Sequence, residues 1–250
     1  MIDYEQNLRT LAVLGSGALE NLERAHVAVF GVGGVGGALC EALARAGVGN
    51  IDLFDADEVS LSNINRQIIA LHSTLGRKKV DVMAERIADI NPTCRVRTFP
   101  VFYLPENADD YPLDGYDYVA DAVDTVAAKL ELAKRCFRKG IRFLSSMGTG
   151  NKLDPTRFEV TDIFKTEGCP LARVMRRELK KRGVTRCRVV FSPEEPVSPP
   201  LDAPALENGG TKRPPGSLPF VPPVAGYIMA GEIILSLSKT QKQTNGGNNS

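Results

Sequence analysis

Four glycines that follow an apolar run form the clearest chemical pattern in this sequence. Their spacing is G-x-G-x-x-G with one further glycine inside it: Gly31, Gly33, Gly34 and Gly36. They separate a predicted strand (26–30) from a predicted helix (37–47), whose free N–H groups can bind phosphate. Asp55 ends the next apolar run (50–55), where a carboxylate can accept hydrogen bonds from ribose hydroxyls. The pattern predicts a nucleotide-binding site and leaves the nucleotide open.

Further polar side chains lie in segments that a parallel sheet would bring to the same edge. The candidates are Asn63, Arg66, Lys79 and Asp124. The first two lie in a polar loop (56–66), Lys79 lies near the start of a predicted helix (76–90), and Asp124 follows a predicted strand (116–123). Cations at this edge would neutralise charge on a reacting triphosphate, and an aspartate there can hold Mg²⁺. Each charged residue taken alone is more typical of a solvated surface, so the interpretation depends on their convergence.

An alternation of apolar runs and helical segments is expected to position these residues. It predicts an α/β fold: a Rossmann-like, doubly wound, mostly parallel sheet with helices on both faces and a mixed C-terminal half. The other predicted strands are 94–99, 141–148, 157–164 and 185–192, and the other predicted helices are 125–140, 170–183 and 224–238.

The chain is expected to form one domain over residues 1–238. Its nucleotide-binding half covers about residues 1–150, and its substrate half covers about residues 151–238. Prolines and glycines dominate residues 192–219, which are expected to form a mobile loop or crossover. A polar tail, residues 239–250, is expected to be disordered.

Composition excludes several classes of protein. Hydrophobic residues make up 43% of the 250 and charged residues 24%, which excludes a disordered or collagen-like chain. The net charge of +1 gives no whole-chain argument for nucleic-acid binding. Five cysteines without a CxxC pair argue against a disulfide framework and against a four-thiolate zinc site. The polar N-terminus and an apolar helix (224–238) that is too short to cross a bilayer favour a cytoplasmic protein with no membrane partner.

Four motifs together resemble the ubiquitin-activating-enzyme-like adenylating superfamily, which includes ThiF and MoeB. They are GVGGVG at 31–36, D-x-D-x-V-x-x-S-N-x-N-R-Q at 55–67, G-x-x-K at 76–79 and D-x-x-D at 121–124. The second motif is far more specific than the glycine loop. Within the superfamily, the chain is most similar to the members that act on threonylcarbamoyladenosine in tRNA, and the similarity covers nearly its whole length.

The resemblance implies a role for each matching residue. It implies that ATP binds at the glycine loop with Gly34 close to the phosphates, and that Asp55 binds the ribose. Asn63, Arg66 and Lys79 match phosphate-binding residues, and Asp124 matches an aspartate tied to Mg²⁺. Arg9 matches an arginine that reaches the terminal phosphate from the partner subunit of a homodimer. The resemblance therefore implies four catalytic residues: Arg9, Arg66, Lys79 and Asp124.

The same resemblance implies a reaction. A carboxylate oxygen attacks the α-phosphate of ATP and gives an acyl-adenylate and pyrophosphate. In the most similar members the carboxylate belongs to the threonylcarbamoyl group on adenosine 37 of tRNA. An internal nucleophile then closes a ring and expels AMP, so that the nucleoside loses one water.

Two rival functions stay open at this point. Relatives that adenylate the C-terminus of a ubiquitin-like or sulfur-carrier protein carry two CxxC zinc pairs, which this chain lacks, and thioester-forming activators need a cysteine that residues 192–219 lack. The other rival is a non-catalytic module that binds NAD or another nucleotide. The sequence leaves open a monovalent cation and a sulfur-relay partner.

A run of basic residues between 173 and 188 has two interpretations. It is either a solvated helix face or a surface that binds tRNA phosphates, and the resemblance favours tRNA. The tRNA-binding candidates are Arg173, Arg176, Arg177, Lys180 and Lys181. Cys169 at a predicted helix start is either a thiol with a lowered pKa or, as we expect, a small packing residue.

Overall fold

A seven-stranded sheet forms the centre of the protein. The computed structural model describes residues 5–198, 200 and 215–239. The strand order is β3-β2-β1-β4-β5-β7-β6, in which β6 is antiparallel to β7 and all the other neighbouring strands are parallel. The strands are β1 His26–Phe30, β2 Asn50–Phe54, β3 Arg95–Phe99, β4 Tyr118–Asp121, β5 Phe143–Ser146, β6 Glu159–Asp162 and β7 Arg188–Phe191.

Continuous apolar strands explain why the sheet is parallel in its middle. Val27, Val29 and Phe30 of β1 are completely buried, as a strand covered on both faces by helices requires. In register, Val27 pairs with Ile51 of β2 on one side and with Tyr118 of β4 on the other. This arrangement confirms the predicted Rossmann-like sheet, including its mixed C-terminal half.

Seven α-helices surround the sheet in the described part of the chain. They are α1 Leu8–Leu14, α2 Ser16–Arg24, α3 Gly34–Arg45, α4 Lys79–Ile90, α5 Val126–Lys139, α6 Pro170–Lys181 and α7 Val221–Ser238. The sequence analysis did not predict α1 and α2. Helix α3 begins three residues earlier than predicted, inside the glycine loop, so its first turn belongs to the candidate site.

Helix α7 differs from its prediction in length. It begins at Val221 and has 18 residues with a mean hydropathy of 1.4, so the expectation of a helix too short to cross a bilayer is wrong. By length and composition alone the helix could cross a membrane, but buried core helices also meet these two criteria. Here the helix packs against α3: a Cβ on Gly226 would lie 2.2 Å from the Val35 carbonyl oxygen. Met229 and Ile233 are buried in the main apolar core.

The division into a nucleotide-binding half and a substrate half at about residue 150 stays a prediction. Most of the predicted mobile segment, namely residues 199 and 201–214, lies outside the described residues, as do residues 240–250 of the predicted tail. What matters for the site is the carboxyl edge of the parallel strands. There the loops after β1, β2, β4 and β5 meet, which is the usual ligand-binding edge of an open α/β sheet.

Candidate active site

A cleft of about 500 Å³ opens at the carboxyl edge of the sheet. Its size is that of a small-molecule site. Eight residues predicted from the sequence line it: Gly31, Gly33, Gly34, Asp55, Asn63, Arg66, Lys79 and Asp124. Gly36 does not line the cleft and lies in the first turn of α3. The structure therefore brings together nearly all of the predicted nucleotide-contacting positions.

The glycines are required by close backbone approaches. Gly31 has φ +88°, and a Cβ there would lie 2.7 Å from the Ala122 carbonyl oxygen of the loop after β4. A Cβ on Gly36 would lie 1.8 Å from the Gly31 carbonyl oxygen, so the turn into α3 closes only without a side chain. Gly33, Gly34 and Val35 at the start of α3 line the cleft, and the first N–H groups of a helix, which lack partners within it, can bind an anion.

Asp55 is hydrogen-bonded to the glycine loop. Its Oδ2 accepts a hydrogen bond from the Val32 backbone N–H at 2.7 Å, and its Oδ1 accepts one from the Asp57 N–H at 2.9 Å. Burial raises the pKa of Asp55, while the charge of Lys79 lowers it. The carboxylate is thus held at the end of β2, and its remaining lone pairs can accept hydroxyl hydrogen bonds.

Lys79 is a buried cation at the N-terminus of α4. Its Nζ lies 2.6 Å from Asp57 Oδ2, and its side chain is only 6% exposed whereas that of Asp57 is 51% exposed. The short pair holds the ammonium group at the wall of the cleft. Sequence reasoning assigned no role to Asp57, although the second motif contains it; its spacing of 22 residues from Lys79 gives no local signal.

Arg66 and Asn63 lie on one short turn. The Arg66 guanidinium donates through Nη1 to the Ser62 carbonyl oxygen at 2.9 Å and to Asn65 Oδ1 at 2.8 Å. Asn63 is buried, and its Oδ1 accepts a hydrogen bond from the Ser60 N–H at 3.1 Å. Asn63 therefore shapes the turn that presents Arg66 to the cleft.

Asp124 lies exposed on the loop after β4, where Thr125 Oγ1 donates to it at 3.3 Å. No cation pairs with Asp124 within the described part of the chain. Mg²⁺ is usually held by one or two carboxylates together with substrate phosphates and water. A single exposed carboxylate beside the glycine loop fits that donor set. A site built of protein ligands alone is absent, because no group of three or more His, Cys, Asp or Glu residues converges in the described chain.

A buried ion pair that sequence reasoning missed anchors the same loop. Lys129 and Asp121 are both completely buried, and Lys129 Nζ lies 3.1 and 3.0 Å from the two Asp121 oxygens. Nζ also donates to the Val123 carbonyl oxygen at 3.0 Å, and Ser145 Oγ donates to Asp121 Oδ2 at 2.6 Å. These bonds tie β4, β5 and α5 to the loop that carries Asp124.

The other side of the cleft is aromatic. Phe30 stacks on Phe54 with ring centroids 4.2 Å apart, and Tyr103 meets Phe30 edge-to-face at 4.9 Å. Two buried polar atoms that belong to lining residues, Gln67 Oε1 and the Tyr103 hydroxyl, have no partner among the described residues. Sequence reasoning singled out neither residue. An apolar wall with few polar atoms is typical of a site for a flat ring.

Residues after β5 and before α7 form a third wall. Its two segments are Ser146–Gly150 and Pro215–Ser217, and α6 begins beside them, with Leu171 also lining the cleft. Cys169 is 3% exposed and packs in an apolar cluster with Ala172 and Met175. That environment agrees with the expected packing role of Cys169.

The structure divides the basic residues of α6 into paired and unpaired cations. Arg177, Lys181 and Arg182 all pair with Glu178, and these cations, Arg182 first, lower the pKa of Glu178 to about 2. The Arg176 guanidinium donates to the Thr166 carbonyl oxygen at 2.5 Å. Arg173 and Lys180 are exposed and pair with no other described residue.

Arg9 is the one predicted catalytic residue that does not line the cleft of its own chain. It lies exposed on α1, a helix of which no residue is buried. On the same helix, Leu8 is 55% and Val13 is 81% exposed.

Comparison with known proteins gives one consistent result. Residues 4–249 match the model of the ThiF family. The tRNA threonylcarbamoyladenosine dehydratase of Bacillus subtilis is 46% identical over 239 residues, which cover 92% of this chain and 94% of the relative.

Solved structures agree with that result. Escherichia coli tRNA N6-threonylcarbamoyladenosine dehydratase in complex with ATP is similar with a TM-score of 0.83 and 36% identity, and the complex with AMP with a TM-score of 0.84 and 37% identity. Each comparison covers 94% of both chains. From its matched length and its identity to these relatives, the chain belongs to the ThiF family.

Proposed function

We propose that this protein is an ATP-dependent enzyme that dehydrates threonylcarbamoyladenosine at position 37 of tRNA through an acyl-adenylate. The observation that carries the proposal is the cleft, in which the glycine loop, Asp55, Arg66 and Lys79 surround one volume of nucleotide size. The relatives that are similar over nearly the whole chain carry that activity in their names, and one of them binds ATP and AMP.

The first step joins the substrate carboxylate to the α-phosphate. A carboxylate oxygen forms a bond to phosphorus while the bond to pyrophosphate breaks, so negative charge develops on the leaving group. Arg66 and Lys79 lie at the cleft wall with their cationic groups fixed by neighbouring oxygens, and fixed charges stabilise such a transition state. Asp124 would hold Mg²⁺, which when bound neutralises phosphate charge.

The second step closes a ring. An internal nucleophile of the threonylcarbamoyl group bonds to the acyl carbon and loses a proton, and the bond from that carbon to the AMP oxygen breaks. Over both steps ATP becomes AMP and pyrophosphate, and the oxygen lost by the carboxylate leaves in AMP. The third wall of the cleft keeps water from the acyl carbon until the ring has closed.

Helix α6 is proposed to contact the tRNA backbone. It begins beside the cleft at Leu171 and, at about 1.5 Å per residue, extends some 18 Å away from it. Arg173 and Lys180 offer charges along that path that pair with no carboxylate among the described residues, whereas Arg177 and Lys181 share the single carboxylate of Glu178 with Arg182. A nucleotide inserted into the cleft would leave its neighbouring phosphates on this face.

A homodimer is proposed to complete the site. Arg9 does not line the cleft of its own chain, and it lies on a helix with no fully buried residue and with two exposed apolar side chains. A two-fold contact through α1 would bury Leu8 and Val13 and would carry Arg9 to the partner's phosphates. A cytoplasmic location and the absence of a membrane partner stay predictions.

The test is a reaction with purified protein, Mg·ATP and tRNA that carries threonylcarbamoyladenosine. We expect the modified nucleoside to become lighter by one water, with AMP and pyrophosphate formed together. The same tRNA lacking the threonylcarbamoyl group is the control and should give no AMP. AMP formation on a ubiquitin-like or sulfur-carrier protein, with unchanged tRNA, would establish the alternative adenylating function instead.

A further inference from the structure

Asn151 binds two distant points of the chain. Its backbone N–H donates to the Gly216 carbonyl oxygen at 2.8 Å, and its own carbonyl oxygen accepts from the Val197 N–H at 2.8 Å. Its side-chain Oδ1 accepts from the Gly216 N–H at 2.6 Å. One residue therefore holds the chain just after β7 and the chain just before α7 against the loop that follows β5.

The backbone of Asn151 is specialised for this contact. Its φ of 55° makes it the one non-glycine residue with positive φ in the described chain, and asparagine tolerates that conformation better than most residues. Its neighbour Gly150 is equally constrained, because a Cβ there would lie 2.7 Å from Pro215 Cβ. The pair Gly150–Asn151 thus permits a close approach that most dipeptides would prevent.

A second asparagine holds the same segment from the other side of the cleft. Asn65 Nδ2 donates to the Ser217 carbonyl oxygen at 3.0 Å, while Asn65 Oδ1 accepts from Arg66 Nη1 at 2.8 Å. Residues 215–217 are therefore suspended between Asn151 and the arginine proposed to bind phosphate. Pro215, Gly216, Ser217 and Arg66 line the cleft, whereas Asn151 and Asn65 hold the segment from behind its lining.

This wall lies where the two substrates must meet. One edge of the wall is Arg66, which is proposed to bind the ATP phosphates. The other edge is the start of α6, where Leu171 precedes the unpaired cation of Arg173. We propose that Asn151 is a positioning residue that holds residues 215–217 as the substrate-side wall, so that the tRNA-borne carboxylate reaches the α-phosphate and water does not reach the acyl-adenylate. The inference rests on the proposed function.

Two substitutions of Asn151 distinguish its side-chain hydrogen bond from its two backbone hydrogen bonds. Asn151→Gly keeps the positive φ and both backbone hydrogen bonds but removes the Oδ1 acceptor. Asn151→Asp keeps the acceptor and serves as the matched control. Asn65→Ala removes the second contact to the same wall and also the contact to Arg66, so we expect it to raise both the KM for tRNA and the Kd of an ATP analogue.

The first readout needs no substrate. Hydrogen exchange followed by mass spectrometry should show faster exchange at the Gly216 amide in Asn151→Gly, while Asn151→Asp behaves like the wild type. An unchanged exchange rate of the Gly216 amide in a folded Asn151→Gly protein would show that the Asn151 side chain does not hold residues 215–217.

The second readout concerns catalysis. In Asn151→Gly we expect the KM for the modified tRNA to rise about three- to tenfold, as the loss of one hydrogen bond predicts, with the Kd of a non-hydrolysable ATP analogue changed less than about twofold. More than one AMP should form per cyclised nucleoside, because water reaches the adenylate. A merely structural residue would lower the amount of active enzyme and leave that ratio at one.

A ratio of one together with an unchanged KM for tRNA would overturn the positioning role. If the wild-type enzyme itself leaves the tRNA unchanged, the proposed function fails instead, and the exchange measurement still decides whether Asn151 clamps the wall.

Discussion

At the scale of single residues, three charged groups of the site are held by hydrogen bonds within the protein. Lys79 contacts Asp57, Arg66 contacts Asn65, and Asp55 accepts from the Val32 N–H. Such preorganisation removes the cost of reorienting charges during the reaction. The identities of the charged residues could be predicted from the motifs, but the partners of Lys79 and Asp55 could not, because those contacts join residues more than 20 positions apart in sequence.

Replacement of Lys79 tests its proposed role most simply. We expect Lys79→Ala to lower kcat/KM for AMP formation by roughly 10²- to 10³-fold, the usual effect of removing one group that stabilises transition-state charge. Lys78→Ala is the matched control, because Lys78 pairs with the exposed Glu58 and does not line the cleft. Equal rates for the Lys79 variant and the wild type would remove Lys79 from the mechanism.

At the scale of elements, the sequence predicted those with strong apolar or helical periodicity. Strand β1 was predicted at its observed residues, and every predicted strand and helix is present with ends shifted by a few residues. Helix α1 was missed because it is only seven residues long and buries no residue completely, although Leu11 and Leu14 are partly buried against the main core. The antiparallel direction of β6 gives no signal in its own sequence, although the mixed C-terminal half was expected.

Helix α6 should bind tRNA through its unpaired cations. We expect charge reversal at Arg173 and Lys180 to raise the KM for tRNA. It should also reduce the slope of log affinity against log salt by about one for each phosphate that the helix no longer neutralises. Charge reversal at Arg177, which pairs with Glu178, is the control and should have a smaller effect. Equal effects of the three charge reversals on tRNA binding would show that the ion pair with Glu178 does not decide which cations bind tRNA.

The strands β1 to β3 share a buried carboxylate that should make the fold acid-sensitive. Burial by itself would raise the pKa of Asp52, but hydrogen bonds from His26, Arg97 and Tyr116 lower it to about 2. A carboxylate with a lowered pKa stabilises the fold above its unfolded-state pKa, and that stabilisation is lost as the pH falls from about 4 to about 2.

Asp52→Asn tests this linkage. Denaturant unfolding followed against pH should show a free energy of unfolding for the wild type that falls by about 2 kcal/mol more than that of the variant between about pH 5 and pH 2. Parallel pH profiles for the two proteins would show that Asp52 does not cause the acid sensitivity.

At the scale of the whole molecule, the sequence was sufficient for fold class and family, since both depend on motifs and periodicity that lie in short segments. Contacts across the cleft were not predictable, because Asn151 contacts a segment 65 residues further along the chain that only the complete fold brings beside it. Arg9 belongs to this scale as well, since its proposed partner lies in another copy of the chain.

Mixing two inactive variants tests that arrangement. In a dimer of Arg9→Ala with Lys79→Ala, one of the two sites would combine an intact Lys79 with an intact Arg9 from the partner. Random reassociation of equal amounts should therefore restore about a quarter of the wild-type activity. No recovery, in a mixture shown by light scattering to contain dimers, would place Arg9 outside the partner's site.

The acyl-adenylate is the central intermediate of the proposed reaction, and an isotope experiment tests directly whether it forms. The substrate tRNA would carry heavy oxygen in the threonylcarbamoyl carboxylate, and the nucleotide products of one turnover would be weighed by mass spectrometry. We expect AMP that contains one heavy oxygen and pyrophosphate that contains none. Unlabelled AMP, or label in ADP or inorganic phosphate, would contradict this expectation.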